Sequence, residues 1–164
     1  IGGPMGVGKT TACRQLQQLL DRSVFLDGDW CWDAHPFQVT EETREMVLEN
    51  IAFLLNSFLR CSAYDHVIFC WVLHRREIWA DLLRRLTEPY ALRAVSLVCT
   101  PEALRARLEG DIRAGVRQPD AVDRSLAYLP LYDALDVRRL DVTDLTPRAA
   151  AERILADTEK EREP

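Results

Sequence analysis

Lysine is nearly missing from this chain of 164 residues: of its 21 basic side chains only Lys9 and Lys160 are lysine, the rest being arginine. Against 26 acidic residues these leave a net charge of −5, so no global positive field exists to hold a nucleic-acid backbone or an anionic membrane. Any anion must be gripped locally, and the scarcity of lysine makes Lys9 conspicuous. Long apolar runs are also missing. The longest, Val67–Leu73 and Val95–Cys99, fall far short of the roughly 18 residues of a membrane-spanning helix. The five cysteines (13, 31, 61, 70 and 99) form no C-x-x-C pair, which argues against a zinc site or disulfide framework and for free thiols in a reducing cytoplasm. Neither N-K-x-D nor D-x-x-G occurs, so the guanine-reading and switch motifs of a GTPase are lacking. The N-terminus shows no secretory pattern, and an opening strand is expected to have been clipped before Ile1.

What remains is one domain's worth of chain, 48% apolar and therefore able to bury a sizeable core. Helical spacing of Ala12, Cys13, Leu16, Leu19 and Leu20 predicts a helix over Thr10–Leu20. Short buried strands are predicted at Val24–Leu26, His66–Val72, Ala94–Cys99 and Val137–Val142. Between them Thr40 caps a long helix with the stripe Val47, Ile51, Leu54, Leu55 and Phe58, and Glu77–Leu86 forms another. Thr100-Pro101 and Thr146-Pro147 each open a further helix. Trp71, in mid-strand, is expected in the core with Cys13, Cys70 and Cys99. Asp111–Tyr128 is expected to be partly irregular and mobile, and Thr158–Pro164 to fray. Apolar strands alternating with helices argue for an α/β fold, a parallel sheet covered on both faces.

The strongest signal is Gly3-Pro-Met-Gly-Val-Gly-Lys-Thr10, which satisfies G-x-x-x-x-G-K-[ST] and runs straight into a predicted helix. Such a loop wraps a polyphosphate in backbone N–H groups, and its glycines let the chain come close enough to do so. The free N–H groups at the helix start add their positive dipole end, and the Lys9 ammonium reaches the β and γ oxygens. The cradle comprises Gly3, Met5, Gly6, Val7, Gly8, Lys9, Thr10 and Thr11, with the Thr10 hydroxyl offered to Mg²⁺. A phosphate loop reports a bound nucleotide and leaves the reaction open.

A remodelling ATPase would end its central strand in an acidic pair, which His66–Leu73 lacks. Asp27 and Asp29 supply carboxylates instead, two residues apart at the end of the second strand, where parallel sheets bind ligands. Asp27 would touch the metal shell while Asp29 faces an acceptor hydroxyl and takes its proton. The competing reading of Asp-Gly-Asp is a plain surface turn.

On these motifs the chain resembles the small P-loop kinases of metabolites, including gluconate, shikimate and adenylylsulfate kinases. Phe25–Asp29 is similar to their strand-end Asp-x-Asp, and Val67–Leu83 to the third strand and basic turn of the gluconate kinase group. The resemblance implies a three-layer P-loop NTPase fold with a five-stranded parallel sheet in the order 2-3-1-4-5 and a lid over about 111–128. It implies Arg107 beside the adenine, Asp141–Pro147 as the adenine-side loop, and a lid arginine on the migrating charge, in the order Arg117, Arg124, Arg113. Asp111 stands where nucleotide kinases carry an arginine.

It also implies an acceptor segment over about 27–60. Trp30, Trp32 and Phe37 would stack on a ring or sugar, and His74 or Arg75 would pair with an anionic group; the alternative for the three aromatics is packing against the Thr40 helix. The expected activity is ATP- and Mg²⁺-dependent phosphorylation of a small polar or ring-bearing alcohol by a monomer or homodimer without nucleic-acid or membrane partners. Alternatives are a nucleoside monophosphate kinase with Arg44, Arg75 and Arg76 on the phosphate, an antibiotic-phosphorylating resistance kinase, and a non-catalytic ATP-binding regulator.

Overall fold

The computed structural model describes residues 1–160. The end of the stretch expected to fray, Thr158–Pro164, therefore lies outside the described residues. Strands β1 (Ser23–Asp27) and β2 (His66–Cys70) pair in parallel, Ser23 opposite His66 and Asp27 opposite Cys70. Strands β3 (Val95–Val98) and β4 (Arg138–Asp141) form a second parallel pair. Residues 1–3 run between the pairs. The Ile1 amino group donates to Phe69 O and Trp71 N to Ile1 O, while on the other side Gly2 N donates to Val95 O and Leu97 N to Gly2 O.

Side chains alternate across a strand, so the two faces of β1 and β2 can be read from what each residue packs against. Phe25, Ile68 and Cys70 join a core with α1 (Lys9–Leu19), α4 (Pro101–Arg113), α5 (Ala121–Tyr128) and α6 (Pro147–Lys160). Leu26, Val67 and Phe69 join a second core with α2 (Glu41–Arg60) and α3 (Arg76–Arg84). Helices therefore cover both faces. The second core leans on the predicted stripe: Val47, Ile51 and Leu55 are buried, with Leu54 and Phe58 packed beside them.

Helix starts follow the sequence closely. Thr40 Oγ1 accepts from Thr43 N at 3.1 Å and Thr43 Oγ1 from Thr40 N at 2.9 Å, a reciprocal box that fixes where α2 begins. Thr100 and Thr146 accept from Ala103 N and Ala149 N in the same manner, each followed by proline.

Two expectations are met in part. Trp71 packs against the second core but is only half-buried: β2 stops at Cys70, one residue before it, and Trp71 emerges at the strand's C-terminal end. The stretch 111–128 is partly irregular, as expected: α4 continues to Arg113 and α5 begins at Ala121. The second helix is held by burial of Ala121, Val122 and Ser125, and only 114–120 is without helix.

Candidate active site

A cleft of about 980 Å³ opens at the C-terminal ends of β1 and β2, where the phosphate-type loop, the Asp27–Trp32 segment and the start of α2 converge. Its end at the glycine-rich loop is built by backbone geometry. Gly6 has φ 81° and Gly8 φ 103°, both in the left-handed region that favours glycine. A methyl on Gly6 would lie 2.5 Å from Leu108 Cδ2, whereas one on Gly8 would meet nothing within 4 Å. The loop thus packs tightly behind and stands open in front. Gly8 caps α1 with no side-chain hydrogen bond, so the first N–H groups of the helix face the cleft unanswered.

Lys9 Nζ donates to Pro4 O at 3.0 Å, which folds the side chain back along its own loop. Desolvation pushes its proton affinity below the ordinary lysine value, opposed by the charges of Asp29 and Asp27. A partly desolvated ammonium beside open N–H groups is suited to an anion.

Thr10 Oγ1 donates to Asp27 Oδ2 at 2.6 Å, and Asp29 N donates to Asp27 Oδ1 at 3.1 Å. Asp27 is only 5% exposed, yet both of its oxygens are answered. Asp29 follows on a short 3-10 turn, Gly28–Cys31, seated against Trp71: a methyl on Gly28 would sit 2.6 Å from Trp71 Cγ. That turn aims Asp29 into the cleft. Burial raises the Asp29 carboxyl above its usual range, and the neighbouring Asp27 charge raises it further, while Lys9 and the Trp71 side chain pull the other way.

Arg107, from α4, spans three carbonyls: Val7 O at 3.0 Å, Val142 O at 2.7 Å and Thr143 O at 3.0 Å. It borders both the cleft and a neighbouring hollow of about 200 Å³ lined by Gly8, Thr11, Leu145, Thr146 and Pro147. The last three belong to the loop that the resemblance implies for the base. Arg117 Nε lies 2.9 Å from Asp111 Oδ2, and its charge is felt at both Lys9 and Asp29. Arg124 pairs along its own helix with Asp120 at 3.0 Å and lines the cleft further out. Arg113 is not among the cleft residues. The departure at Asp111 thus has a use: it holds Arg117.

On the acceptor side Leu73 takes φ 46° although it is fully buried and not glycine, a strained turn that delivers His74 and Arg75 to the cleft. The His74 ring stacks on Tyr128, centroids 4.5 Å apart and planes 7° from parallel. Burial and then the Arg75 charge lower its proton affinity below the ordinary imidazole value. Trp32 reaches the cleft and packs on Phe37 at 4.7 Å. Trp30 does not. It turns away, edge-on to Phe25 at 5.3 Å with the Arg14 guanidinium 5.2 Å above it, because the 3-10 turn sends successive side chains in different directions.

Trp71, Tyr128 and Ser125 line the cleft without having been picked from the sequence. Tyr128 and Ser125 carry no motif. Trp71 had a signal in its place at a strand end, which the apolar run around it concealed.

Among the described residues no group of three His, Cys, Asp or Glu side chains is arranged to hold a metal ion. Magnesium bound through a nucleotide takes most of its ligands from phosphate and water and only one or two from protein, so the Thr10 hydroxyl with the Asp27 carboxylate is a fitting donor set. No helix of the described residues is long and apolar enough to cross a membrane.

The family model described as AAA domain matches residues 1–124. No curated protein sequence matches the chain. Among solved structures, a gluconokinase from Sinorhizobium meliloti 1021 superposes with a TM-score of 0.69 at 20% identity, covering 98% of this chain and 91% of that one. The tunicamycin resistance protein of Deinococcus radiodurans gives 0.67 at 19% identity, covering 96% and 92%. Shikimate kinase from Acinetobacter baumannii, in complex with shikimate, gives 0.63 at 21% identity, covering 99% and 92%. With its phosphate loop at the open start of α1 and this architecture around it, the chain belongs to the P-loop family described as AAA domain and has the α/β fold of the small P-loop kinases.

Proposed function

We propose that this protein transfers the γ-phosphoryl group of ATP, with Mg²⁺, to a hydroxyl of a small polar or ring-bearing molecule. The observation that carries the reading is the Thr10–Asp27–Asp29 constellation facing Lys9 across one cleft. In this reading an anion cradle, a metal-type donor pair and a carboxylate base share one site.

Each group has a role in this reading. The open α1 N-terminus and Lys9 hold the β and γ phosphates. Thr10 and Asp27 would hold the metal, which neutralises charge on the phosphates. Asp29 orients the acceptor hydroxyl and accepts its proton as the oxygen bonds to phosphorus, and its raised proton affinity makes it a better base than an ordinary surface carboxylate. Arg117, placed near both Lys9 and Asp29, stabilises charge on the group in transit. The base sits in the hollow beside Arg107 and the 141–147 loop. The order 2-3-1-4-5 belongs to the same reading, with residues 1–3 as its central member, supported by their hydrogen bonds to β2 and β3.

The nucleoside monophosphate alternative is weakened by Arg76, whose guanidinium is spent on Ala134 O at 3.0 and 3.2 Å, and by Asp29, which would repel a phosphate acceptor. The test is acceptor-stimulated ADP release over a panel of sugars, sugar acids, nucleosides and ring-bearing alcohols, with Lys9→Ala and Asp29→Asn alongside. Lys9→Ala should weaken nucleotide binding. Asp29→Asn should retain it and turn over far more slowly. Full turnover in Asp29→Asn would remove the base assignment, and nucleotide binding without phosphorylated product from any acceptor would leave a regulator.

A further inference from the structure

The stretch of cleft wall from Val72 to Arg75 hangs on one residue with an unfavourable backbone. Leu73 takes φ 46°, a region that a residue with a Cβ enters only at a cost, and its side chain is fully buried. Such a conformation persists where the surroundings over-determine it. Each peptide group is a rigid plane, so both dihedrals of Leu73 are set once the planes before and after it are held. In front, Val72 O accepts from Tyr132 Oη at 2.6 Å and from Gly3 N at 3.3 Å, which uses both of its lone pairs. Behind, Leu73 O accepts from Trp79 Nε1, on α3, at 3.0 Å. Tyr132 lies in the 3-10 turn Leu129–Ala134 that continues α5, and its ring is fully buried, so its hydroxyl is aimed by packing and needs a partner. Four residues before it Tyr128 stacks on His74, and two residues after it Ala134 O accepts from Arg76 Nε at 3.2 Å and Nη2 at 3.0 Å. The stretch 128–134 thus holds the stretch 72–76 at three points. The Arg76 bonds are exposed, whereas Tyr132 acts from the interior on a peptide plane of the strained residue itself.

We infer that Tyr132 is a positioning residue: together with Trp79 it clamps the left-handed turn at Leu73 and so sets where His74 and Arg75 stand in the cleft. The use of that clamp in phosphoryl transfer rests on the kinase reading, and the clamp itself on the geometry alone. The carbonyl that Tyr132 holds also holds Gly3, the first glycine of the phosphate loop, so a single atom ties the loop to the opposite wall. Transfer between two bound groups is sensitive to displacements of an ångström or less, which gives such a tie a function beyond stability. Without the hydroxyl, Val72 O keeps only the longer bond from Gly3, its plane can turn, and Leu73 relaxes towards negative φ, drawing the His74 ring off Tyr128. A tyrosine that only filled the core would lower stability when altered and leave His74 in place.

The first test uses the full chain and no acceptor. The ring signals of the three histidines are followed by NMR through a pH titration in the parent, in Tyr132→Phe and in Trp79→Phe. In the parent the Tyr128 ring should displace the His74 ring protons upfield, and burial with the Arg75 charge should hold the His74 midpoint below the ordinary imidazole value. Arg44, Arg75, Glu77 and Arg124 line the same cleft and are unaltered in either variant. In both variants the upfield displacement should shrink and the midpoint should rise towards about 6.5, while the His35 and His66 signals keep their places. Ile51→Val, a change of comparable cost in the core under α2, should leave the His74 signals as in the parent. Calorimetry with a non-hydrolysable ATP analogue should give affinities within about twofold of the parent for all three variants, and an acceptor from the panel should show its KM raised about tenfold in Tyr132→Phe with the KM for ATP within about twofold. His74 signals unmoved in Tyr132→Phe, or moved as far by Ile51→Val, would overturn the clamp. An acceptor KM unchanged in Tyr132→Phe would overturn its positioning role. Moved His74 signals with no product from any acceptor would uphold the clamp and defeat the kinase reading.

Discussion

Adding one methyl at Gly6 in the phosphate loop should act mainly on stability, and at Gly8 mainly on binding. At Gly6, φ is 81° and the new Cβ would lie 2.5 Å from Leu108 Cδ2 and 2.7 Å from its Cγ, with Leu108 itself fully buried. The left-handed backbone costs about 1–2 kcal/mol for a residue with a Cβ, and overpacking a closed core costs about 1–3 kcal/mol. Gly6→Ala should therefore lose about 2–5 kcal/mol, which for a domain of this size lowers Tm by roughly 4–20 °C. At Gly8, φ is 103° but nothing lies within 4 Å of the new Cβ. Gly8→Ala should lose only the backbone share, about 1–2 kcal/mol. Its methyl, however, projects into the open front of the cradle, where a phosphate has to approach the α1 N–H groups. Nucleotide affinity should fall by tenfold or more, about 1.4 kcal/mol at least. Differential scanning calorimetry and isothermal titration with ATP analogue separate the two effects. Gly8→Ala protein that binds nucleotide as tightly as the parent would mean that the open space in front of Gly8 is not where phosphate sits, and the argument for the site would fail at its first step.

Three further outcomes follow from the same geometry. Burial, reinforced by Asp27, raises the Asp29 carboxyl, so its ionised form destabilises the fold: the stability present below the unfolded-state carboxylate range is lost as pH rises through the folded value. Asp29→Asn should consequently raise Tm at neutral pH, with the difference shrinking towards acid, and in the parent enzyme the acid limb of kcat/KM should lie above the ordinary carboxylate range of about 4; a Tm unchanged or lowered at neutral pH refutes this. Tyr132 is fully buried and donates to Val72 O at 2.6 Å, so Tyr132→Phe should cost about 1 kcal/mol, seen as a fall of roughly 2–4 °C in thermal melts. Arg107→Ala removes three carbonyl contacts from the join between α4, the phosphate loop and the 142–143 turn, and should weaken binding of ATP far more than binding of inorganic triphosphate, a comparison made by competition titration.

The sequence was most legible where a single residue type meets a single physical demand. Threonine before proline or acidic residues marked the starts of α2, α4 and α6, and the spacing of Gly3, Gly6, Gly8, Lys9 and Thr10 marked the cradle. The sequence reading gave Thr10 and Asp27 separate places on a metal shell, and the fold joins them directly because a strand end in a parallel sheet meets such a loop. Legibility failed where direction depends on less than one turn of chain. Asp29, Trp30 and Trp32 share a segment, yet a 3-10 turn sends Trp30 to Phe25 and Arg14 and the other two to the cleft. Trp71 sits one residue past the last ladder pair, a boundary that an unbroken apolar run does not reveal. The Asp111–Arg117 pair and the His74–Tyr128 stack join residues distant in sequence or divided by a turn, and only the folded chain brings them together.

The attachment of α5 has a consequence for how the enclosure over the reaction centre can work. Ser125 Oγ donates to Met5 O at 2.6 Å, and Ala121 and Val122 lie in the main core, so this helix is moored to the loop that grips the phosphates. The short bridge 114–120 between α4 and α5 is without helix and carries Arg117 at its middle. Under the proposed function, shielding would then fall to a small visor rather than a swinging subdomain. Releasing Arg117 from Asp111 and turning its guanidinium inwards is a rearrangement of one side chain and a few peptide units, which the rest of the scaffold can accommodate without losing its packing.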